Sequence, residues 1–274
     1  MIMRELRKDK AAMLGLVLLV LIGLAALLAP VISPFDPLDI SHGRFRPPNS
    51  MHRLGTDELG RDLLSRMLFG ARISLRVGII SVGIAAAIGI PLGLISGYFG
   101  ETIDNIISRV MDILLAFPGI LLAIMIVAVL GPGLENAMIA IGLANIPTYA
   151  RLVRASTLVE KSKDYVLAAR AIGVSSGRML VRQILPNVLA PVIVLGTLGV
   201  ASSILAAAGL SFIGLGAQAP TPEWGAMLSR GRNYLRTEWW VATFPGLAIL
   251  FTVLGINLLG DGLRDALDPQ LRKR

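Results

Sequence analysis

Long, uninterrupted runs of apolar side chains constrain this chain more than any other feature, because each run is long enough to cross a lipid bilayer. A spanning helix needs about 20 mostly apolar residues. Only 16% of the residues are charged, against about 25% in soluble domains. The runs are continuous rather than alternating, so the sequence predicts an all-α integral membrane protein and not a β-barrel. Six spans are predicted, at 11–32, 75–96, 107–130, 136–152, 188–213 and 241–261.

The positions of lysine and arginine predict which side of the membrane each loop occupies, since cytoplasmic loops are enriched in both. With a cytoplasmic N-terminus, the inner segments carry 16 of the 26 basic residues, including all five lysines, and the outer segments carry 9. Arg76 lies at the start of the second run and belongs to neither group. We therefore expect a multi-pass protein of the cell (inner) membrane with both termini in the cytoplasm.

The N-terminus combines basic residues with an apolar run, as a signal peptide does. The run at 11–32 is longer than the core of about 7–15 residues that a signal peptide uses, so we predict that it is an uncleaved first span. Three regions follow from these patterns. They are an N-terminal helix with an external loop at 1–74, a transmembrane core at 75–262 and a cytoplasmic tail at 263–274.

Composition argues against catalysis by this chain. There is no cysteine, and the two histidines, His42 and His52, lie in one polar loop where we expect them to be solvated. An intramembrane protease needs a nucleophile with a base, or a metal site, and Asp112 is the only carboxylate well inside a predicted span. The Gly-Lys-Ser/Thr of a P-loop does not occur. We therefore predict no enzymatic activity, and no cofactor or metal in this chain.

The net charge of +8 raises the question of nucleic acid, but the basic residues are spread between apolar runs rather than along one face. Aromatic residues, which stack on bases, are only 5% of the chain. We interpret the charge as topology information and predict no nucleic-acid partner.

Two long segments are expected outside the membrane. In 33–74, apolar residues recur every four positions from Leu59 to Met67, which predicts an amphipathic helix over 57–69 at the membrane surface. The second segment, 214–240, contains all three tryptophans of the chain, as an interfacial aromatic belt would.

Glycines recur every four residues in the second predicted span, at Gly89, Gly93 and Gly97. Small residues at this spacing allow two helix backbones to approach closely. Packing against another helix of the same chain is favoured over a subunit interface.

The polar interruption between the fourth and fifth predicted spans has the most local structure. Asp164 can cap a short helix, and Gly173 lies where that helix would end. One narrow face of the helix is apolar and has small residues at its middle. That face consists of Tyr165, Ala168, Ala169 and Ile172.

A second short helix can start at Ser175 or Ser176, with Arg178 and Arg182 on one face. Pro186 should prevent a regular helix from continuing unbroken into the next span. Such an element can insert its small-residue face into a groove of a cytoplasmic partner, while its arginines reach acceptors at the rim. The alternative is a solvated basic loop that only fixes topology.

The spacing in this loop resembles the coupling loop of ABC-importer permeases, which reads Glu-Ala-Ala, three residues, Gly, nine residues, Ile, one residue, Leu-Pro. Leu167 stands where that motif has Glu, and Gln183 where it has Ile. The matching residues are Ala168, Ala169, Gly173, Leu185 and Pro186. The resemblance implies a set of residues for coupling to ATPase subunits: Tyr165, Leu167, Ala168, Ala169, Arg170, Gly173, Arg178, Leu185 and Pro186.

Leu167 is the notable departure. With Asp164 as the N-cap, a Glu at position 167 would close a capping box onto the backbone of residue 164. Leucine gives up that bond and offers an apolar side chain, so we hypothesise that Leu167 packs against the partner or a neighbouring loop.

Other segments resemble the C-type permease of dipeptide, oligopeptide and nickel importers. They are 54–66, 70–75, Asp104 with Arg109, Asp112 and Phe117-Pro118, 209–216, and 222–225. The resemblance implies a heterodimeric pore with a B-type permease, two cytoplasmic ATPase subunits that hold ATP and Mg, and an external solute-binding protein. It implies import of di- or oligopeptides, with nickel or another small solute as the alternative. An ATP-independent channel or facilitator is the alternative from a different class.

Four polar residues in the predicted spans could line a pathway or serve the structure: Arg109, Asp112, Asn145 and Asn257. A lone charge at the bilayer centre costs about 2.5–3.5 kcal/mol on insertion scales. Arg109 and Asp112 are three residues apart, so we expect them to form a structural ion pair. The asparagines are expected to hydrogen-bond between helices.

The predicted topology can be tested by fusing a reporter that is active only in the cytoplasm to each end of the chain. Both fusions should be active, because an even number of spans returns the C-terminus to the side of the N-terminus. A silent C-terminal fusion beside an active N-terminal one would contradict the topology.

Overall fold

The computed structural model describes Leu6 and residues 9–267, and every regular element of this part of the chain is helical. One isolated bridge joins Thr56 to Asp62. The α-helices are α1 (Lys10–Ile32), α2 (Leu63–Phe99), α3 (Glu101–Leu115), α4 (Gly119–Leu130), α5 (Leu134–Lys161), α6 (Asp164–Ala171), α7 (Ser176–Met179), α8 (Leu185–Phe212), α9 (Trp224–Gly231) and α10 (Trp240–Leu267). A π-helical turn, Leu180–Ile184, joins α7 to α8, and a 3₁₀ turn, Arg232–Tyr234, follows α9.

Within residues 9–267, four helical segments are long and apolar enough to cross a membrane: α1, α2, the run 176–212 and α10. The pair α3 and α4 makes a fifth if the two bent helices are counted as one span. The predicted count of six is not reached by this criterion. The missing one, 136–152, lies inside α5, which is 28 residues long but carries charged residues in both its first and last turns.

The third predicted span is wrong as a single helix. The sequence predicts one helix over 107–130, whereas the chain bends by 89° between α3 and α4. The break falls at Phe117-Pro118, because the residue before a proline is disfavoured in helical conformation. Pro118 then takes the N-cap position of α4, where its missing N–H costs nothing.

The amphipathic helix predicted over 57–69 is also wrong. Asp57 and Gly60 belong to a tight turn, in which the Gly60 N–H donates to the Asp57 carbonyl at 3.0 Å and Gly60 has a φ of 85°. The helix begins only at Leu63, where the Asp62 carboxylate accepts from the Ser65 N–H. It then continues to Phe99, so that the second half of the predicted surface helix is the first part of a spanning helix.

The glycine stripe of α2 packs against α5 of the same chain, as the sequence predicts. A Cβ added at Gly89 would lie 2.6 Å from the Tyr149 Cβ, and one at Gly93 would lie 2.5 Å from the Ala150 carbonyl oxygen. At Gly97 the added atom would meet the Thr157 Cβ at 2.7 Å. Over three turns, therefore, only glycine allows the two backbones to approach this closely.

The first and last long helices also pack through small residues. A Cβ at Gly15 of α1 would lie 2.6 Å from the Gly255 carbonyl oxygen of α10, and one at Gly262 would lie 2.4 Å from the Ala12 Cβ. Asp9 caps the start of α1 by accepting from the N–H groups of Ala11 and Ala12.

Two of the three tryptophans are buried and do not form the predicted interfacial belt. Trp239 is half exposed, whereas Trp224 and Trp240 are buried. The Trp224 indole N–H donates to the Met67 carbonyl at 3.1 Å, and that of Trp240 donates to the Thr56 carbonyl at 3.2 Å. The Trp224 ring fills the space beside Gly70 at the start of α2. The Trp240 ring fills the space beside Gly55 in the 33–62 segment.

The contact between α2 and α5 can be tested with a matched pair of substitutions in one helix. Gly93→Ala should force the backbones apart and lower the free energy of unfolding by about 1–3 kcal/mol, the usual cost of overpacking. Gly83→Ala is the control, because a Cβ there meets nothing within 4 Å. The apparent Tm of each variant, measured in detergent by scanning fluorimetry, gives the comparison. Equal Tm values for the two variants would contradict the close approach.

Candidate functional site

The loop between α5 and α8 is the candidate functional site, and its geometry starts at the end of α5. Lys163, not Asp164, is the N-cap of α6, and its backbone is extended. Position 167 is therefore one residue beyond the N3 site of a capping box. The predicted cap at Asp164 is wrong, and with it the argument that a Glu at 167 would bond to residue 164.

Tyr165 joins three elements at this point. Its hydroxyl donates to the Glu160 carboxylate at the end of α5, and it accepts from the Asn187 side-chain amide of α8 at 3.1 Å. The same amide also donates to the Gln183 carbonyl at 2.7 Å. Desolvation and the hydrogen bond to Glu160 raise the pKa of Tyr165 to about 12, so the hydroxyl remains protonated at neutral pH.

The first helix of the loop ends at Gly173, as predicted. Gly173 has a φ of 81°, and its N–H donates to the Arg170 carbonyl at 3.1 Å. The Val174 N–H donates to the Ala169 carbonyl at 3.1 Å. These two bonds form a Schellman motif, which satisfies carbonyls at the end of α6.

The predicted small-residue face is divided between two sides of α6. Ala169 is buried, together with Val166, which the sequence did not place on that face. Ala168 is exposed, and Ile172 is 82% exposed. Val166 and Ala169 therefore mark the buried side of α6, and Ile172 lies away from that side. Leu167 is 51% exposed, on the side that is available to a partner.

The buried side of the loop belongs to the core of the membrane bundle. Val166, Ala169, Met179 and Ile184 pack in one cluster with Tyr98 of α2 and with Tyr149 and Val153 of α5. The Arg170 guanidinium lies over the Tyr98 ring, 5.9 Å from its centroid. The loop is therefore a packed part of the helix bundle rather than a solvated excursion.

Pro186 does not end the helix, but the α-helix is not regular through this region, as predicted. The chain stays helical from Ser176 into α8, and the π-helical turn 180–184 absorbs the proline. Widening the helix by one residue removes the clash between the proline ring and the preceding turn. Leu185 is half buried against the core cluster, while Arg178 and Arg182 are both exposed.

A charged cavity of about 450 Å³ lies near the same end of the bundle, between α2, α3 and α5. The Arg154 guanidinium donates two hydrogen bonds of 2.6 Å to the two Asp104 carboxylate oxygens. Arg151 pairs with Asp112 at 2.5 Å. Ser96 and Ser108 complete the polar lining around Asp104.

The predicted pair of Arg109 with Asp112 is wrong, because Arg151 from another helix takes the carboxylate and Arg109 is exposed. Asn145 donates to the Ile141 carbonyl of its own helix at 2.9 Å instead of bridging two helices. Asn257 lies on an exposed face of α10. The pairs that form join residues 39 and 50 positions apart, which no local spacing reveals.

At the opposite end of the bundle, the turn 57–62 holds a buried ion network. The Arg61 Nε donates to the Asp57 carboxylate at 2.7 Å, and the Arg66 Nε lies 3.3 Å from the same oxygen. All three residues are buried. Sequence reasoning missed them, because it placed Asp57 and Arg66 on the polar face of a surface helix.

The two histidines are part of this packed end, so the expectation that they are solvated is wrong. His52 is fully buried, and its Nδ1–H donates to the Asp62 carboxylate at 2.9 Å. The His42 ring packs at a tilt against Phe35 and His52, with centroids 4.5 and 4.9 Å away. Nearby, burial raises the pKa of the Glu223 carboxyl, which caps α9 by accepting from two backbone N–H groups.

Comparison with known proteins decides the family. Residues 89–273 match the family described as the inner membrane component of binding-protein-dependent transport systems, and residues 1–48 match the N-terminal transmembrane domain of oligopeptide transport permease C. The chain belongs to this family of ABC-importer permeases, as a C-type member. It is therefore a multi-pass inner membrane protein and a transport subunit, as the sequence predicts.

Similar curated proteins cover nearly the whole chain. One, 50% identical over 275 residues, is the di/tripeptide transport system permease protein DppC of Pseudomonas aeruginosa, covering 96% of this chain and 89% of that one. The dipeptide permease DppC of Alkalihalophilus pseudofirmus is 48% identical, covering 98% and 89%. The glutathione permease GsiD of Pectobacterium atrosepticum is also 48% identical, covering 98% and 90%.

A solved structure supports the fold. The permease chain of the MetNI methionine ABC transporter, in an inward-facing conformation, superposes with a TM-score of 0.60 at 19% identity. The match covers 74% of this permease and 96% of that chain.

Proposed function

We propose that this permease forms half of the pore of an ATP-driven importer of di- and oligopeptides and couples to its ATPases through residues 164–186. In this proposal α5 also crosses the membrane, which gives six spans with both termini and the loop in the cytoplasm. A B-type permease supplies the other half of the pore. Two ATPase subunits carry ATP and Mg, and a solute-binding protein delivers substrate to the outer face.

One observation supports the coupling role above the others: the loop has a buried side in the bundle core and an exposed apolar side. Leu167, Ile172 and Val181 are each more than half exposed, in a segment that the proposed topology surrounds with water. An apolar surface exposed to water is a place that a protein partner can cover. Because the other side of the loop is packed, these three side chains form an apolar surface at a fixed position, which a groove on a partner can bind.

The buried side of the loop would pass a movement of the ATPases to the pore. A displacement of α6 acts on α5 through the hydrogen bond from Tyr165 to Glu160 and on α8 through the bond to Asn187. Because α2 and α5 are in backbone contact along the glycine stripe, they move together. The charged cavity between α2, α3 and α5 lies on the same moving unit.

The peptide substrate is supported by the relatives, which are named for dipeptides, di/tripeptides and glutathione, itself a tripeptide. The buried network at 57–62 and the packed 213–239 segment give the proposed outer face a rigid surface for the solute-binding protein.

Leu167→Glu tests the coupling. It places a carboxylate where the proposed contact is apolar, so we expect peptide-stimulated ATP hydrolysis by the reconstituted importer to fall about tenfold or more. Leu167→Met is the matched control, because it keeps an apolar side chain of similar size. Both variants should insert into the membrane and assemble normally, since Leu167 makes no part of the bundle core.

The importer reconstituted in lipid vesicles also tests whether the protein imports peptides. Labelled dipeptide should enter only when ATP and the solute-binding protein are present, and unlabelled tripeptide should compete. Uptake without ATP would contradict an importer and support a facilitator. Competition by nickel but not by peptides would overturn the substrate class. Wild-type coupling in Leu167→Glu would remove the loop from the mechanism.

A further inference from the structure

A groove between α1 and α2 shares no lining residue with the charged cavity and lies outside the 164–186 loop. It has a volume of about 660 Å³ and is lined by apolar side chains, except for two arginines of α2. Arg72 and Arg76 are one helical turn apart and therefore lie on the same side of α2. Both are exposed, and neither makes an ion pair or a hydrogen bond with any side chain among residues 9–267.

The apolar part of the groove lies on the lipid-facing surface of the bundle. Leu27 and Ile79, which line it, are 74% and 62% exposed. Gly23 leaves empty space in the groove, because a Cβ built at this position meets no atom within 4 Å. In an inner membrane protein, apolar side chains this exposed suit contact with acyl chains.

The arginines add a chemical preference to this surface. Along α2 the lining runs from Phe69 through Arg72 and Arg76 to Ile79 and Ile80, so two arginines lie within an otherwise apolar groove. A guanidinium binds phosphate through paired N–H donors and keeps its charge at the edge of the bilayer. This combination matches the phosphate and the acyl chain of one anionic phospholipid.

We propose that this groove is a binding site for an anionic phospholipid, with Arg72 and Arg76 on the headgroup phosphate and an acyl chain along Gly23, Leu27 and Ile79. The lipid would fill the space between α1 and α2 and hold the first helix against the bundle. The proposal does not depend on the proposed substrate.

Native mass spectrometry of the purified full-length chain in neutral detergent tests this. The probes are phosphatidylglycerol and phosphatidylcholine with the same acyl chains. Wild type should retain one phosphatidylglycerol under conditions that remove phosphatidylcholine. Arg72→Gln with Arg76→Gln should weaken that retention by about 30-fold. Arg53→Gln, an exposed arginine outside the groove, should leave it unchanged.

Gly23→Phe fills the groove without removing a charge, and it should reduce retention of phosphatidylglycerol while both arginines remain. Circular dichroism checks that each variant keeps its helices. Millimolar inorganic phosphate should not displace the lipid; displacement would overturn the acyl-chain part of the site. Equal retention by wild type and the double variant would overturn the proposal.

Discussion

The rest of the structure depends on the backbone contact between α2 and α5. Three glycines on α2 bring its backbone within reach of α5 at Tyr149, Ala150 and Thr157. In lipid, where helices gain little from burying apolar surface against each other, close packing of this kind is a main source of association. The contact places the ends of α2 and α5 side by side. Tyr98 and Glu160 therefore lie where the loop that follows packs against them: Tyr98 contacts its buried side chains, and Glu160 accepts a hydrogen bond from Tyr165.

The coupling loop is built onto this pair of helices. Its first helix contributes Val166 and Ala169 to the same cluster as Tyr98 and Val153, and its π-helical turn contributes Ile184. The exposed apolar residues face away from that cluster. In the proposed mechanism, the exposed side of the loop contacts the ATPases and its packed side passes their movement to the bundle. A basic loop that only sets topology would not need the packed side.

The sequence was most informative where the controlling interaction is local. The glycine end of α6 follows from the conformational freedom of one residue, and the glycine stripe from a spacing of four. The failures come from interactions between distant segments. Asp112 pairs with Arg151 across two helices, and His52 is buried because Asp62 and Phe35 surround it. The buried face of α6 was predicted from the spacing of its apolar residues. In the structure, Val166 is buried and Ile172 is exposed.

Two helix ends show the same limit. The break before α4 was hidden by an apolar run that continues through Phe117-Pro118, and the turn at 57–62 was hidden by an apparent helical period. In both places the sequence contains the residue that breaks the helix, Pro118 or Gly60. The hydrophobic pattern nevertheless predicted a continuous helix.

The central claim is that the loop moves as one body with its own helices. Because the chain has no cysteine, Ser176→Cys with Leu205→Cys gives two exposed spin-label sites, one on the loop and one far along α8. Ser176 lies outside the proposed apolar contact with the ATPases. Electron–electron distance measurements would be made on the assembled importer with and without ATP. We predict the same distance in both states, while the distance from Ser176 to a label on the partner permease changes. A distance within this chain that shifts on ATP binding would contradict rigid coupling.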